Sequence, residues 1–409
     1  MPGPLAGVKV LDLTSVGFGP YAGQILGDYG ADVIKVEGPE GDITRGIAPY
    51  RNPGMGHFLI NANRNKRCIV LDLKQPSGRD ALLELAKTAD VIMSSIRPAA
   101  MARLGLGYED CKAVNPKLIY VSLVGFRQDG PYAPKPAYDD VIQGLSGMAG
   151  MQGGRSGPPA FIKASVCDKI CSQFAVHGTM AALFSRERTG AGQHVEVPML
   201  ESMVGFNLVE HQSGQTFEPP LGPAGYERSM VEYRRPYATQ DGHVCVLPYN
   251  TKQWRAFFAL MGRPEMCDDP RVMDAKTRSE RIGELYQMVS ECVGGWTTAA
   301  LLAALDEADI PSGRATPLGE LAEDPHLQAV GLFQSFDHPT EGRIRLAGPS
   351  VRFSETPAEI RSLPAQLGAH SVEILTEAGF SEAAIARLIE AGVTIDGAAA
   401  AGGVRSAAE

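Results

Sequence analysis

Short runs of Val, Ile and Leu alternate with stretches of helical spacing through the first third of the chain, and no other pattern narrows the choice of fold so far. Residues 8–13, 32–36, 68–73, 91–93 and 118–123 read as strands. Helices are predicted over 20–29, from Pro76 onward and over 108–114, the first two carrying a proline in the opening turn, where its missing N–H costs nothing. Strands apolar on both faces need cover on both, which argues for a parallel sheet between layers of helices. The fold class predicted is α/β.

Beyond Tyr138 the spacing is mostly helical as far as His211. The longest predicted helix, 169–186, places Ile170, Phe174, Met180 and Leu183 on or near one face. Asp168 stands directly before it, where an N-cap is expected. A strand over 194–197 and a helix from Glu201 follow. Punctuation by Gly, Pro and Ser between 213 and 236 then marks a break. After it come a hairpin over 237–248 turning at Asp241-Gly242, and helices over 251–262, 277–294 and 298–307. The predicted layout is a large Rossmann-like domain beginning in 1–224, a smaller α+β domain over 225–325, a return segment over 326–395 and a flexible tail over 396–409.

Charge and side-chain inventory exclude several functions. The net charge of −9 argues against a nucleic-acid surface, so an anionic ligand would need a local basic cluster. The seven cysteines include no CxxC pair and the eight histidines no HxxxH or HExxH, so neither a disulfide framework nor a metal site is expected; the thiols read as reduced and buried. No uncharged apolar run approaches the ~18 residues that span a bilayer. The opening Met-Pro-Gly-Pro-Leu lacks the basic and apolar regions of a signal peptide, which predicts a cytoplasmic protein.

Three local features carry candidate chemistry. Gly17-Phe18-Gly19-Pro20-Tyr21-Ala22-Gly23 after the first strand, with Glu37 closing the second, has the look of a dinucleotide turn, although Pro20 removes a backbone donor where phosphate would sit. The alternative is an ordinary tight strand-to-helix turn. Arg64, Lys66, Arg67 and Lys74 form a basic cluster that could draw in phosphate or be a solvated face. Asp168 could be a capping residue held ionised by the helix dipole, or a nucleophile that forms a mixed anhydride with an activated acyl group. Spacing alone leaves both readings open.

A set of ordered segments resembles the class III CoA-transferase family, the CaiB/BaiF type that includes formyl-CoA and carnitine CoA-transferases and α-methylacyl-CoA racemases. The segments are Pro4-Leu5-Ala6-Gly7-Val8-Lys9-Val10-Leu11-Asp12, Leu26-Gly27-Asp28-Tyr29-Gly30-Ala31-Asp32-Val33-Ile34-Lys35-Val36-Glu37 and Asn65-Lys66-Arg67 through Leu71-Asp72-Leu73-Lys74. Leu104-Gly105-Leu106-Gly107-Tyr108, Asn115-Pro116-Lys117-Leu118, Thr189-Gly190-Ala191-Gly192-Gln193 and Ala322-Glu323-Asp324-Pro325-His326 continue the series.

The resemblance implies an enzyme that moves CoA from an acyl-CoA to a small, conceivably dicarboxylic, carboxylic acid, with no permanently bound cofactor and no nucleic-acid or membrane partner. It makes Asp168 the catalytic carboxylate. It places Ser15, Gly17 and Phe18 along the pantetheine path, Leu71, Lys74 and Arg103 around CoA, and Ser95, Ile96 and Arg97 in a loop bordering it. Tyr138 could pack or hydrogen-bond near the thioester, the alternative being an ordinary buried tyrosine. Gly38 and Pro136 stand where a transferase relative has an arginine and a lysine, and the family's glycine-rich closing loop is not evident between 225 and 260. Racemase relatives carry a histidine where this chain has Tyr138, and a tyrosine is a poor proton shuttle at neutral pH, which favours transfer. A racemase using another base and a non-catalytic CoA-binding protein are the alternatives. The resemblance also implies an interlocked homodimer, its site between the large domain of one subunit and the small domain of the other.

Overall fold

In the computed structural model, which describes residues 3–155 and 157–398, the apolar runs become six strands of one parallel sheet. They are β1 (Lys9–Leu13), β2 (Asp32–Glu37), β3 (Lys66–Val70), β4 (Val91–Ser94), β5 (Ile119–Val124) and β6 (Gln193–Pro198), in the spatial order β3-β2-β1-β4-β5-β6. The chain winds outward from β1 to β3, then returns to place β4 on the other side of β1. That reversal opens a crevice at the carboxyl ends of β1 and β4, the usual ligand position in open α/β sheets.

One face of the sheet is apolar. Leu11, Ile34, Ile69 and Ile92 are fully buried there beneath Leu82 and Leu85 from the helix Pro76–Ala86 and Ile374, Leu375, Ile385 and Leu388 from the helices Ser371–Glu377 and Glu382–Glu390. Each such side chain contributes about 1.5–3 kcal/mol on burial. The alternate residues Asp12, Lys35 and Lys66 face the other way, under α1 (Phe18–Asp28). Lys66 Nζ donates to Asp12 Oδ2 at 2.8 Å, Asn63 Oδ1 at 2.8 Å and the Pro20 carbonyl at 2.7 Å. Lys35 Nζ donates to Asp42 Oδ2 at 2.9 Å and the Thr14 carbonyl at 3.0 Å. Each of these buried ammonium groups is paired with a carboxylate and further hydrogen-bonded, which is the condition for tolerating it.

The strand β3 begins at Lys66 instead of at 68, the Lys66 charge being paired with Asp12 inside the fold. Its outer edge is covered by chain from the return segment: Asn65 N–H donates to the Ser362 carbonyl, and Cys68 and His370 exchange hydrogen bonds at 3.0 and 3.1 Å. Covering a free edge in this way prevents strand addition.

Two compact units divide the chain, one comprising residues up to Ser146, Lys163–Val204 and the segment from Gln328, the other Gly147–Ile162 and Gly205–Leu327. The longer stretch of the second unit runs over Gly205–Leu327, beside the 225–325 read from the sequence, and Gly147–Ile162 adds a second stretch to it. It has its own core of Trp254, Phe257, Phe258 and Tyr286, and a three-stranded antiparallel sheet of Tyr237–Ala238, His243–Val246 and Ser312–Arg314. The helix expected over 277–294 is broken at Arg281 into Ala275–Glu280 and Ile282–Val293. All seven cysteines are free; Cys68, Cys111, Cys167 and Cys171 are buried, whereas Cys245 is exposed against expectation. Among the described residues no helix is long and apolar enough to cross a membrane, and no group of side chains could hold a metal ion. The expected tail lies outside the described residues from 399 on.

Candidate active site

The crevice at the sheet's switch point contains a cavity of about 240 Å³. Its walls come from the loop after β1 (Ser15, Val16, Gly17, Phe18), the loop after β4 (Ser95, Arg97, Pro98), the end of β5 and the segment from Ala133 to Tyr138. Asp168 reaches it from the longest helix, Val166–Thr189, which also continues past the predicted bounds at both ends. Asp168 is therefore the third residue of that helix and not its N-cap; Ser165 holds the cap position without a side-chain bond. The first turn instead receives an acceptor from elsewhere: the Asp168 backbone N–H donates to Asp139 Oδ1 at 2.9 Å. Asp139 opens the helix Asp139–Leu145, is 8% exposed, and accepts a second bond at 2.7 Å from Gln143 Nε2.

The other side of Asp168 is closed by Gly17. A Cβ there would lie 2.6 Å from Asp168 Oδ2, so glycine is what permits the β1–α1 turn to approach the carboxyl group. Ser172 fixes the two elements together, its hydroxyl lying 2.6 Å from the Phe18 carbonyl and 2.7 Å from that of Asp168. The turn itself is held at Val16, a β-branched residue at φ 68°, where only surrounding contacts make such backbone tolerable. Those contacts are the Ser15 N–H bond to Ser95 Oγ at 3.1 Å and the Val16 N–H bond to Asp42 at 3.4 Å.

Burial, and then the neighbouring charges of Asp139 and Asp140, push the Asp168 carboxyl up to about 7, with Lys169 opposing. Proximity to a helix N-terminus does not keep it strongly acidic, contrary to the sequence reading. Ionised, it is a desolvated carboxylate and so a stronger nucleophile than one in water. Its neighbour Cys167 is no rival, since burial followed by the charges of Asp139, Asp168 and Asp140 raises that thiol to about 12.

Ser15, Gly17, Phe18, Ser95, Arg97, Tyr138 and Asp168 line this one cavity. Tyr138 is 69% exposed, so the alternative of an ordinary buried tyrosine falls. Leu71, Lys74, Ile96 and Arg103 do not line it. The Leu71 side chain is in the core at 1% exposure, leaving only its backbone for a ligand, and Ile96 packs partly buried on the same cluster. Lys74, Arg97 and Arg103 are exposed and form no ion pair among the described residues, as phosphate-facing cations should. Their neighbours in the basic cluster are committed internally: Arg64 to Asp28, Lys66 to Asp12, and Arg67 to Asp32, Glu373 and Glu377. Sequence reasoning missed Lys135, which lines the cavity one residue before Pro136, and gave Asp139 no role as a partner of Asp168.

The dinucleotide reading fails on geometry. Glu37 is buried against Arg45 at 2.6 Å, out of reach of a ribose. Gly19 and Gly23 let α1 press on the sheet, since a Cβ would lie 2.1 Å from Thr14 or 2.7 Å from Asp12 Oδ2.

A desolvated carboxyl group at the switch point of a doubly wound sheet, with Arg97 and Lys135 lining the same cavity, makes this an α/β protein with a candidate nucleophile in a site suited to an anionic ligand. The model of CoA-transferase family III matches residues 5–371, and the chain belongs to that family. It is 33% identical over 395 residues to the succinyl-CoA:glutarate CoA-transferase of Mus musculus, covering 95% of this chain and 90% of that one. It is 34% identical over 385 residues to the succinate–glutarate CoA-transferase of Agrobacterium fabrum, covering 91% and 95%. Among solved structures, a CAIB/BAIF family protein from Brucella suis superposes with a TM-score of 0.79 at 30% identity, covering 92% of this chain and all of that one.

Proposed function

We propose that this CoA-transferase passes CoA from an acyl-CoA to a free dicarboxylic acid through covalent intermediates on Asp168. An Asp168 carboxylate oxygen attacks the thioester carbonyl; the C–S bond breaks, CoA thiolate departs, and an acyl–aspartyl anhydride remains. The thiolate attacks the Asp168 carbonyl of that anhydride, releasing the donor acid and leaving an aspartyl–CoA thioester. The acceptor carboxylate then attacks the same carbonyl and expels the thiolate, forming a second anhydride. Attack of the thiolate on the acceptor's own carbonyl yields the new acyl-CoA and restores Asp168. Electrons and protons balance in every step, and each activated acyl bond is exchanged for another. The thiolate must stay close between steps, which Arg97, Lys135 and the exposed Lys74 and Arg103 favour by holding the phosphate-bearing end.

The observation that supports this most directly is the placement of Asp168: half-buried, hard against Gly17, and open to the switch-point cavity. The relatives that act on succinate and glutarate support the dicarboxylic class. Hydroxylamine added during turnover should yield a hydroxamate at position 168, detected by peptide mass spectrometry. Asp168→Asn should bind CoA yet lose at least about 10³-fold in kcat, as loss of a covalent nucleophile does. A folded Asn variant turning over at the parental rate would end the proposal.

A further inference from the structure

Asp168 and Gly17 also border a second cavity of about 530 Å³, distinct from the first. Its walls include Tyr21, Phe58 and Leu332, which are apolar, with Asn61, Arg64 and Lys169 among the polar groups. Arg64 is not available to a ligand, because its guanidinium holds Asp28 through bonds of 2.9 and 2.7 Å. Lys169 is exposed and forms no ion pair among the described residues.

From this arrangement we infer that the second cavity seats the free acid, with Lys169 as the counter-ion for its non-reacting carboxylate; the inference rests on the transferase reading above. Three features carry it. The first is topology: the cavity assigned to CoA and the second cavity share only Gly17 and the residue to be acylated, so thiol and acid can approach Asp168 from different sides. The second is charge. The charges of Asp139 and Asp140 act on the Asp168 carboxyl group that a diacid must approach, and Lys169, which lines the second cavity, acts on it with the opposite sign. The third is reach. In a diacid of four or five carbons the far carboxylate lies about 5 Å from the reacting one, at ~1.5 Å per carbon–carbon bond. A lysine one residue along the helix, with Cα atoms about 3.8 Å apart and a four-carbon stem, spans that distance. The apolar walls meanwhile accommodate the intervening methylenes.

The test compares glutarate with pentanoate as acceptors, which share a chain length and differ in the far carboxylate. With succinyl-CoA as the donor throughout, the ratio of their kcat/KM values cancels the donor half-reaction. The parent enzyme should prefer glutarate. Lys169→Gln should lower the ratio at least tenfold, mainly through the KM for glutarate, while Lys169→Arg should hold it within threefold. An unchanged ratio in Lys169→Gln, or a parental preference for pentanoate, would overturn the assignment. Hydroxamate formation at Asp168 from succinyl-CoA alone, without acceptor, separates the two levels: its absence removes the covalent transfer reading, whereas its presence with an unchanged ratio removes only the role of Lys169.

Discussion

At the scale of single residues, the decisive quantity is the proton on Asp168. Burial first, and the charges of Asp139 and Asp140 second, raise its pKa from the ordinary 3.8 to about 7. Only the ionised form attacks, so kcat/KM should fall as pH drops through about 7. Asp139→Asn keeps an acceptor for the Asp168 N–H but removes a charge, and should shift this acidic limb to lower pH; an unmoved limb in a pH–rate profile would contradict the account. The same shift predicts stability with the opposite sign. The folded protein holds this proton more tightly than the unfolded chain, so ionised Asp168 costs stability that accrues as pH rises from about 4 to 7. Asp168→Asn should accordingly unfold at higher denaturant concentration at pH 8, by about 1–3 kcal/mol after allowing for the open side of the cavity, with little gain near pH 4. Gly17→Ala tests the approach itself. Its Cβ would lie 2.6 Å from Asp168 Oδ2, so displacement of the carboxyl group should lower kcat/KM by about 10²-fold while the unfolding midpoint changes little.

At the scale of elements, the polar face of the sheet positions the chemistry. Asp12 on β1 and Lys66 on β3 meet under α1, and Lys66 also holds the Pro20 carbonyl in the first turn of that helix. Removing one partner strands a buried charge. Lys66→Met should destabilise by about 3–5 kcal/mol in urea unfolding, and the Asp12→Asn/Lys66→Met pair should recover part of the loss. Equal losses in single and double variants would mean that the two groups do not act as a pair. The same residues explain what was legible in the sequence. Apolar runs such as Val10-Leu11 and Val33-Ile34 announced strands because both faces of the sheet are buried, even where Asp12 and Lys35 interrupt the run. The basic cluster misled because cancellation by Asp12, Asp28 and Asp32 depends on strand pairing, which local spacing does not encode. The start of the helix carrying Asp168 misled likewise: its capping acceptor belongs to Asp139, 29 positions earlier in the chain. The resemblance to a family singled out Asp168, but only packing reveals that Gly17 approaches it and that Leu71 turns away into the core.

At the scale of the whole molecule, exposed apolar side chains carry the argument for assembly. On the first unit Phe184 is 64% exposed, on the outer side of the helix that carries Asp168. On the second, Val209 is 84% and Leu221 75% exposed. Scattered single residues of this kind are ordinary, but Phe184 and Met180 lie one helical turn apart on a single exposed stripe, as do Val209 and Phe206. Water contact over paired large side chains is removed most simply by a second copy presenting the same surfaces, because a two-fold interface is self-complementary. The expected state is a homodimer, and light scattering should return twice the 43.6 kDa chain mass at micromolar concentration. Phe184→Asp and Val209→Asp each place a charge in the proposed contact and should shift the particle toward the monomer without unfolding it, as circular dichroism would verify. A parent protein that scatters as a 43.6 kDa particle at every concentration would show that these stripes face water, and the dimer would have to be abandoned.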